Sequence, residues 1–186
     1  MTQVKRLLEI AFSKGAIKYG QFILSSGKQS NYYFDGRLLS LDPEGAHLIG
    51  MILYPILDQA GVQAVGGLTL GADPIVTAVS ITSHLMGKPM TGFIVRKDTK
   101  GHGTQQQIEG PLEKGTNVAI VDDVCTTGSS LFNAIEAAET FGCPVVKVIA
   151  ILDRMQGGGE ELRKRGYNYS PLLWASPDGD ITLGAV

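Results

Sequence analysis

The stretch VAIVDDVCTTGSSL, residues 118–131, decides the fold of this chain. Together with Asn117, it begins as an apolar run of the kind that is buried on both faces of a parallel sheet. Asp122 and Asp123 follow this run. A short turn of threonine, glycine and serine then leads into an apolar helical pattern over residues 129–141. We predict a strand with the two acids at its carboxyl end, a loop and a helix in immediate succession, and ligands bind at such strand ends in open α/β sheets.

Apolar runs and helical patterns alternate on both sides of this stretch. Further strands are predicted at residues 64–68, 90–95 and 145–152, and residues 74–86 predict a helix between the first two of them. No internal repeat or linker divides the alternation. It therefore predicts an α/β fold with a largely parallel central sheet flanked by helices.

Two helices are predicted before the first of these strands. An amphipathic pattern near the N-terminus stops at Gly15, as expected of a helix that ends with a left-handed glycine. Asp42, Pro43 and Glu44 have the order of a cap, a first-turn proline and a first-turn acid, and an apolar helical pattern then runs to Gly61.

Length and composition limit the function classes. With 186 residues, 44% of them hydrophobic, the chain is expected to form one domain over residues 1–186. A net charge of −2 without a block of like charges argues against nucleic-acid binding. Cys125 and Cys143 lack the spacing of a zinc site or a disulfide framework, which favours a reducing compartment. Without a leader pattern or an apolar run of about 20 residues, we expect a cytoplasmic protein that does not enter a membrane.

The turn after the two acids suits a phosphate group. It offers backbone N–H groups and four hydroxyls at a helix N-terminus, and Gly128 allows close approach of the backbone. Asp122 and Asp123 suit sugar hydroxyls or a cation that accompanies a phosphate ester. A strand end followed by a plain helix cap is the alternative, but the continuous order of these features favours phosphate binding. The motifs of P-loop and dinucleotide-binding proteins are absent.

At these residues the sequence resembles the type I phosphoribosyltransferases, which use 5-phosphoribosyl-1-pyrophosphate (PRPP). The resemblance implies that family's fold, with a small N-terminal hood and a flexible catalytic loop. It also implies Mg²⁺ that is bound through PRPP, with Asp122 and Asp123 as the protein groups that could contact it. A catalytic role for Asp123 is implied as well. The implied PRPP contacts in this run are Asp122, Asp123, Val124, Cys125, Thr126, Thr127, Gly128, Ser129 and Ser130.

A polar, glycine-containing stretch over residues 97–110 interrupts the alternation. Its basic beginning, RKDTKGHG at residues 96–103, fits a closing loop that stabilises a departing pyrophosphate, whereas a solvated surface loop is the alternative. The pattern resembles the catalytic loop of orotate phosphoribosyltransferases. By this resemblance Arg96 and Lys97 contact PRPP, and Lys100 and His102 are both PRPP contacts and catalytic. A homodimer is also implied, in which the last two reach the partner's site.

Two more segments extend the resemblance: FILSSGKQSNYYF at residues 22–34, and Asp153-Arg154. The residues equivalent to Thr126 and Arg154 contact orotate in that family, and a guanidinium suits the orotate carboxylate. Tyr33 and Phe34 are expected to flank the pyrimidine, with a purely structural role in the core as the alternative.

The implied reaction transfers the phosphoribosyl group from PRPP to orotate, giving orotidine 5′-monophosphate and pyrophosphate in pyrimidine biosynthesis. The alternatives are a purine-type phosphoribosyltransferase and a non-catalytic regulator of the same fold that senses PRPP. A purine-type enzyme is expected to share the PRPP run but not the RKDTKGHG loop. A regulator is expected to carry an added DNA- or RNA-binding element, and this chain has neither a spare domain nor a basic face.

One segment departs from the family. Residues 66–74, GGLTLGADP, resemble its pyrophosphate loop, but Leu70-Gly71 stands where many members have Tyr-Lys. Backbone amides and Asp73, acting through magnesium, are the expected substitutes; the alternative is a glycine turn in which Asp73 caps the next helix. Further along, the cluster of glycines at residues 157–159 is expected to be a flexible lead-in to a short helix.

Overall fold

The computed structural model describes residues 2–23, 29–97 and 107–184. Within these segments, the helices are α1 (Gln3–Ser13), α2 (Arg37–Ser40), α3 (Pro43–Gln59), α4 (Asp73–Leu85), α5 (Ser129–Phe141) and α6 (Gly158–Lys164). The strands are β1 (Ile17–Ile23), β2 (Gln29–Phe34), β3 (Ala64–Leu68), β4 (Thr91–Val95), β5 (Ile108–Glu109), β6 (Val118–Cys125), β7 (Val145–Asp153), β8 (Tyr169–Ala175) and β9 (Ile181–Leu183). The helices and strands predicted from sequence are all present, with ends shifted by a few residues.

The central sheet has the strand order β5-β4-β3-β6-β7-β8-β9. The strands from β4 to β8 in this order run parallel, and β5 and β9 pair antiparallel at the two edges. Helices α4, α5 and α6 connect β3 to β4, β6 to β7 and β7 to β8, which is the kind of connection that parallel pairing requires. The predicted α/β fold with a largely parallel sheet is confirmed.

The apolar run of β6 supplies both faces of the sheet. Ala119 and Val121 belong to the core cluster that includes α1, α3 and α4, whereas Val118 and Ile120 belong to the cluster that includes α5. Alternate residues of a strand point to opposite faces, so a continuous apolar run buries both. Each fully buried aliphatic side chain of this kind contributes about 1.5–3 kcal/mol.

The helix ends follow the predicted chemistry. The Asp42 carboxylate accepts hydrogen bonds from the backbone N–H groups of Glu44 and Gly45 at 3.1 and 3.0 Å and so caps α3. Gly15 and Gly61 have φ values of +70° and +72°, the left-handed conformation that glycine adopts without steric cost. None of the helices in the described segments is long and apolar enough to cross a membrane.

β1 and β2 form a separate antiparallel pair, which we call the hood. Tyr32 and Phe34 of β2 are buried in the main core, and the Tyr19 hydroxyl of β1 donates to the Gly179 carbonyl at 3.1 Å. These contacts fix the hood to the central sheet. The predicted small N-terminal hood is therefore present, whereas the predicted flexible catalytic loop falls mainly on residues 98–106, outside the described residues.

Two local predictions differ from the structure. β6 does not stop at Val121 but continues to Cys125, because β7 is long enough to pair with it, as far as Cys125 against Asp153. The two acids therefore lie within the strand. Of the glycines predicted as a flexible lead-in, Gly158 and Gly159 lie in the first turn of α6 and are closely packed: a β-carbon on Gly158 would lie 2.6 Å from the Thr126 carbonyl oxygen, and one on Gly159 would lie 2.3 Å from the Asp153 carboxylate.

Candidate active site

The loop between β6 and α5 leaves its hydroxyls available. Gly128 precedes α5 with a φ of +82°, and no side chain caps the helix. Within the described segments, the hydroxyls of Thr126, Thr127, Ser129 and Ser130 have no hydrogen-bond partner. The capping alternative is thereby excluded for this loop. Free hydroxyls and N–H groups at a helix N-terminus form a site suited to a phosphate.

Asp122 and Asp123 form a buried acidic pair beside this loop. Asp122 is 6% exposed, and its Oδ1 accepts a hydrogen bond from the Asp123 backbone N–H at 3.0 Å. Burial raises the pKa of both carboxyls, and the neighbouring charge of Asp123 raises the pKa of Asp122 further. A ligand that donates hydrogen bonds to these carboxylates, or that brings positive charge near them, therefore stabilises their ionised form.

The residue Gly71 lies directly against the acidic pair. A β-carbon at this position would lie 2.6 Å from Oδ1 of Asp123 and 2.7 Å from Oδ1 of Asp122. The departure from the family pattern at Leu70-Gly71 thus brings backbone, rather than a side chain, to the carboxylates. Asp73 does not cap α4, since its Oδ2 accepts from the Thr69 hydroxyl at 2.8 Å. Its Oδ1 is buried without a partner in the part of the chain that the structure describes.

Arg154 follows β7 and is 6% exposed. Its backbone N–H donates to the Cys125 carbonyl at 2.9 Å, so it lies next to the start of the 126–130 loop. Its side chain donates from Nε to the Tyr32 hydroxyl at 2.9 Å and from Nη2 to the Ser30 hydroxyl at 3.0 Å. No acid among the described residues pairs with this guanidinium, which leaves a buried positive charge facing neutral partners.

A cleft of about 270 Å³ joins the hood to the central sheet. Its lining comprises Tyr33, Phe34, Asp35, Arg37, Leu70, Gly71, Lys97, Asp123 and Val124. Tyr33 is 37% exposed and Phe34 is 7% exposed, so the tyrosine offers the larger surface to a ligand. The cleft thus contains the two residues predicted to flank the pyrimidine, Tyr33 and Phe34, and two of the predicted PRPP contacts, Lys97 and Asp123.

Other predicted site residues lie apart from this hood cleft or outside the described residues. Arg96 lines a neighbouring cleft with Lys97 and forms an ion pair with Glu109 at 3.2 Å. The Cys125 side chain is buried in the core, and burial raises its pKa to about 11, so only its backbone is available to a ligand. Lys100 and His102 lie outside the described residues.

Sequence reasoning missed three residues at this site: Ser30, Tyr32 and Arg37. Arg37 lines the hood cleft and is held by Asp35 through hydrogen bonds of 2.9 and 3.0 Å. Its basic charge and its position shortly after the alternating pattern of β2 are the sequence signals that point to it. For Tyr32, the alternation of β2 predicts that it shares a buried face with Phe34 rather than with Tyr33, but nothing local predicts its contact with Arg154, 122 positions away.

The parallel sheet, the acidic pair and the hydroxyl-rich loop together point to one class of protein. Residues 65–169, which include the acidic pair and the loop, match the Phosphoribosyl transferase domain family. Among curated relatives, the orotate phosphoribosyltransferase of Synechocystis sp. is 46% identical over 174 residues, which cover 93% of this chain and 87% of the relative. That of Aquifex aeolicus is 47% identical over 145 residues, 78% of this chain and 79% of the relative. The chain therefore belongs to the orotate phosphoribosyltransferase family.

Solved structures agree with this assignment. Orotate phosphoribosyltransferase of Mycobacterium tuberculosis in complex with PRPP has a TM-score of 0.78 at 33% identity, with 93% of this chain and 96% of that chain covered. Adenine phosphoribosyltransferase from Thermoanaerobacter pseudethanolicus has a TM-score of 0.64 at 16% identity, covering 90% of this chain and 99% of that one, and shares the fold alone. The predicted family and fold class are confirmed.

Proposed function

We propose that this chain transfers the 5-phosphoribosyl group of PRPP to orotate, giving orotidine 5′-monophosphate and pyrophosphate in pyrimidine biosynthesis. The observation that carries the proposal is the position of Arg154, a buried cation without an acidic partner in the described residues, beside the phosphate-type loop. A base that bears a carboxylate supplies the missing negative charge. Uncharged bases do not, which favours orotate over a purine.

The PRPP half of the site is assigned to β6 and the loop after it. The free hydroxyls and N–H groups of residues 126–130 would hold the 5′-phosphate, and Asp122 and Asp123 would accept hydrogen bonds from the ribose hydroxyls. Hydrogen bonds and positive charge stabilise ionised carboxylates, so PRPP offsets the cost of burying this pair. Thr126 would contact both PRPP and orotate, because it begins this loop and directly follows Cys125, whose carbonyl accepts from the Arg154 backbone N–H.

Mg²⁺ is proposed to bind together with PRPP. In the described residues, no group of three or more His, Cys, Asp or Glu side chains is arranged to hold a metal alone. Asp122 and Asp123 nevertheless offer carboxylate oxygens, and so does Asp73 through its unpartnered Oδ1. Such oxygens suit a magnesium ion that keeps waters and substrate phosphates as its other ligands. When bound, the ion neutralises charge on the leaving pyrophosphate.

In the reaction, the bond from the anomeric carbon to a pyrophosphate oxygen breaks, and a bond to the orotate ring nitrogen forms. The pyrophosphate takes the bonding electron pair, so negative charge develops on it. Lys97, in the hood cleft beside Asp123, together with Arg96, Lys100 and His102, is proposed to stabilise that charge. The attacking ring nitrogen of orotate loses its proton in the reaction, and that proton passes to water or to the leaving pyrophosphate. No general base of the protein is assigned, because the ring nitrogen can attack as an anion.

A homodimer is proposed, in which Lys100 and His102 reach the partner's site. In support, Leu41 and Ile81 are 68% and 58% exposed and line an apolar groove between α2 and α4. The buried Ser40 hydroxyl in the same groove has no partner among the described residues. An exposed apolar groove with an unpaired polar group suits a protein interface. The chain is further proposed to act as one domain over residues 1–186, in the cytoplasm.

Incubating the purified protein with Mg²⁺, PRPP and each base in turn tests the activity. Orotate should be consumed and pyrophosphate released, whereas adenine, guanine and uracil should remain. Turnover of a purine without any of orotate would identify a purine-type enzyme. If PRPP binds and no base is converted, the regulator of the same fold is the correct alternative.

A further inference from the structure

Among the described residues, the guanidinium of Arg154 is held along one edge. Its Nε donates to the Tyr32 hydroxyl at 2.9 Å and its Nη2 to the Ser30 hydroxyl at 3.0 Å, while its central carbon lies 4.4 Å from the centroid of the Tyr32 ring. A guanidinium has five N–H donors in a fixed plane, so the remaining donors point away from β2 as a unit. Three contacts therefore fix the direction of the free edge.

The Ser30 hydroxyl is oriented to accept from Arg154. It donates its hydrogen to the Tyr32 carbonyl at 2.7 Å, and it also accepts from the Tyr32 backbone N–H at 3.3 Å. With the hydrogen committed to the carbonyl, the remaining lone pair is available for Nη2 of Arg154. The backbone of β2 thus orients the Ser30 hydroxyl so that its lone pair can accept from Arg154.

Both partners of Arg154 are neutral. Burial raises the pKa of Tyr32, so its hydroxyl stays protonated. A carboxylate in either place would hold the arginine equally well but would cancel its charge. Neutral acceptors orient the guanidinium and leave its charge for a ligand.

Resting on the proposed function, we propose that Tyr32 and Ser30 are positioning residues that aim the free edge of Arg154 at orotate. They act on the base through the arginine and need not contact it. Since both lie on β2, the hood takes part in base recognition through its fold. Loss of either hydroxyl should weaken the binding of orotate and leave the PRPP half of the site unchanged.

Steady-state kinetics of Tyr32→Phe and Ser30→Ala test the proposal. Tyr32→Phe keeps the ring beneath the guanidinium and removes only the acceptor. We expect the KM for orotate to rise about tenfold, and the KM for PRPP to change less than about twofold, because a hydrogen bond to a charged group is lost on the base side alone. Tyr19→Phe is the matched control, since it removes a tyrosine hydroxyl bond from the same hood, and it should change neither KM.

A double-mutant cycle distinguishes positioning from a general loss of structure. In an Arg154→Ala background, Tyr32→Phe should have no further effect on the KM for orotate, because its influence passes through the arginine. Additive effects, an equal rise in both KM values, or the same rise in Tyr19→Phe would overturn the proposal. If Tyr32→Phe does not fold, Ser30→Ala carries the same test. Failure of the wild-type protein to use orotate would instead reject the proposed function itself.

Discussion

Gly158 packs against Gly128 so closely that a β-carbon on Gly158 would lie 2.5 Å from the Gly128 backbone nitrogen. The Gly158 N–H also donates to the Thr126 carbonyl at 3.0 Å. The first turn of α6 is therefore a support for the 126–130 loop, built from backbone on both sides. A side chain at position 158 can therefore be accommodated only if the loop moves.

Replacing Gly158 by alanine should displace this loop and impair its proposed contact with the 5′-phosphate. We expect the KM for PRPP to rise about tenfold or more, since small displacements of a binding group are costly, with a smaller effect on orotate. Gly166→Ala is the control: Gly166 has a φ of +89° and open space around it, so alanine there strains the backbone far from the loop. A similar KM for PRPP in wild type and Gly158→Ala would contradict the supporting role of α6.

Much of the fold could be predicted because its signals are local. The Asp42 cap depends on neighbouring residues, and the apolar run of β6 has the same meaning in any parallel sheet. Features that depend on contacts between distant segments could not be predicted from the sequence. The end of β6 depends on the length of β7, and the glycine at position 158 is explained by its contact with a loop about 30 positions earlier.

The same distinction between local features and contacts of distant segments applies to the candidate site. The acidic pair and the hydroxyl-rich loop are contiguous in sequence, and the structure brings them together as predicted. The bonds from Arg154 to Tyr32 and Ser30 span 122 and 124 positions, and only the folded hood creates them. The predicted contacts with PRPP and orotate stay predictions that the following variants test.

Removing the buried charge of Asp122 should stabilise the protein without ligand. Because burial raises its folded-state pKa above the unfolded value, the folded carboxyl holds its proton more tightly, and stability falls as pH rises above the unfolded value. Asp122→Asn should therefore raise Tm at pH 8 by about 2–4 °C, the shift that about 1 kcal/mol produces in a chain of this size. The gain should shrink as the pH falls towards about 4, where the wild-type carboxyl is protonated.

The same variant should lose the stabilisation that PRPP with Mg²⁺ gives to wild type, because the amide cannot replace a carboxylate towards the ribose hydroxyls and the cation. Differential scanning fluorimetry with and without PRPP measures both effects. Asp178→Asn, on the exposed surface, should behave as wild type. A lower Tm at pH 8, or an undiminished response to PRPP, would show that Asp122 does not have this role.

The thiol of Cys125 should be inert in the folded protein. Its side chain is 1% exposed and burial raises its pKa to about 11, so almost no thiolate forms at pH 8. Cys143 is equally buried. We expect iodoacetamide at pH 8 to label neither cysteine in the native state and both in urea, as measured by mass spectrometry. Rapid native labelling of Cys125 would mean that the β6 end opens far more readily than its packing indicates.

Complementation between two inactive variants tests the proposed homodimer with shared sites. Lys100→Ala removes the contribution to the partner's site, and Asp123→Asn removes the contribution to a chain's own site. In a mixed dimer, one site combines the intact Asp123 of one chain with the intact Lys100 of the other, while the second site contains both changes. Random exchange of subunits should restore about a quarter of the wild-type activity, because about half of the dimers are mixed and each has one complete site. Each variant alone, taken through the same exchange procedure, is the control. Activity that stays at the level of the single variants, in a mixture whose subunit exchange is verified by native mass spectrometry, would show that Lys100 serves its own chain.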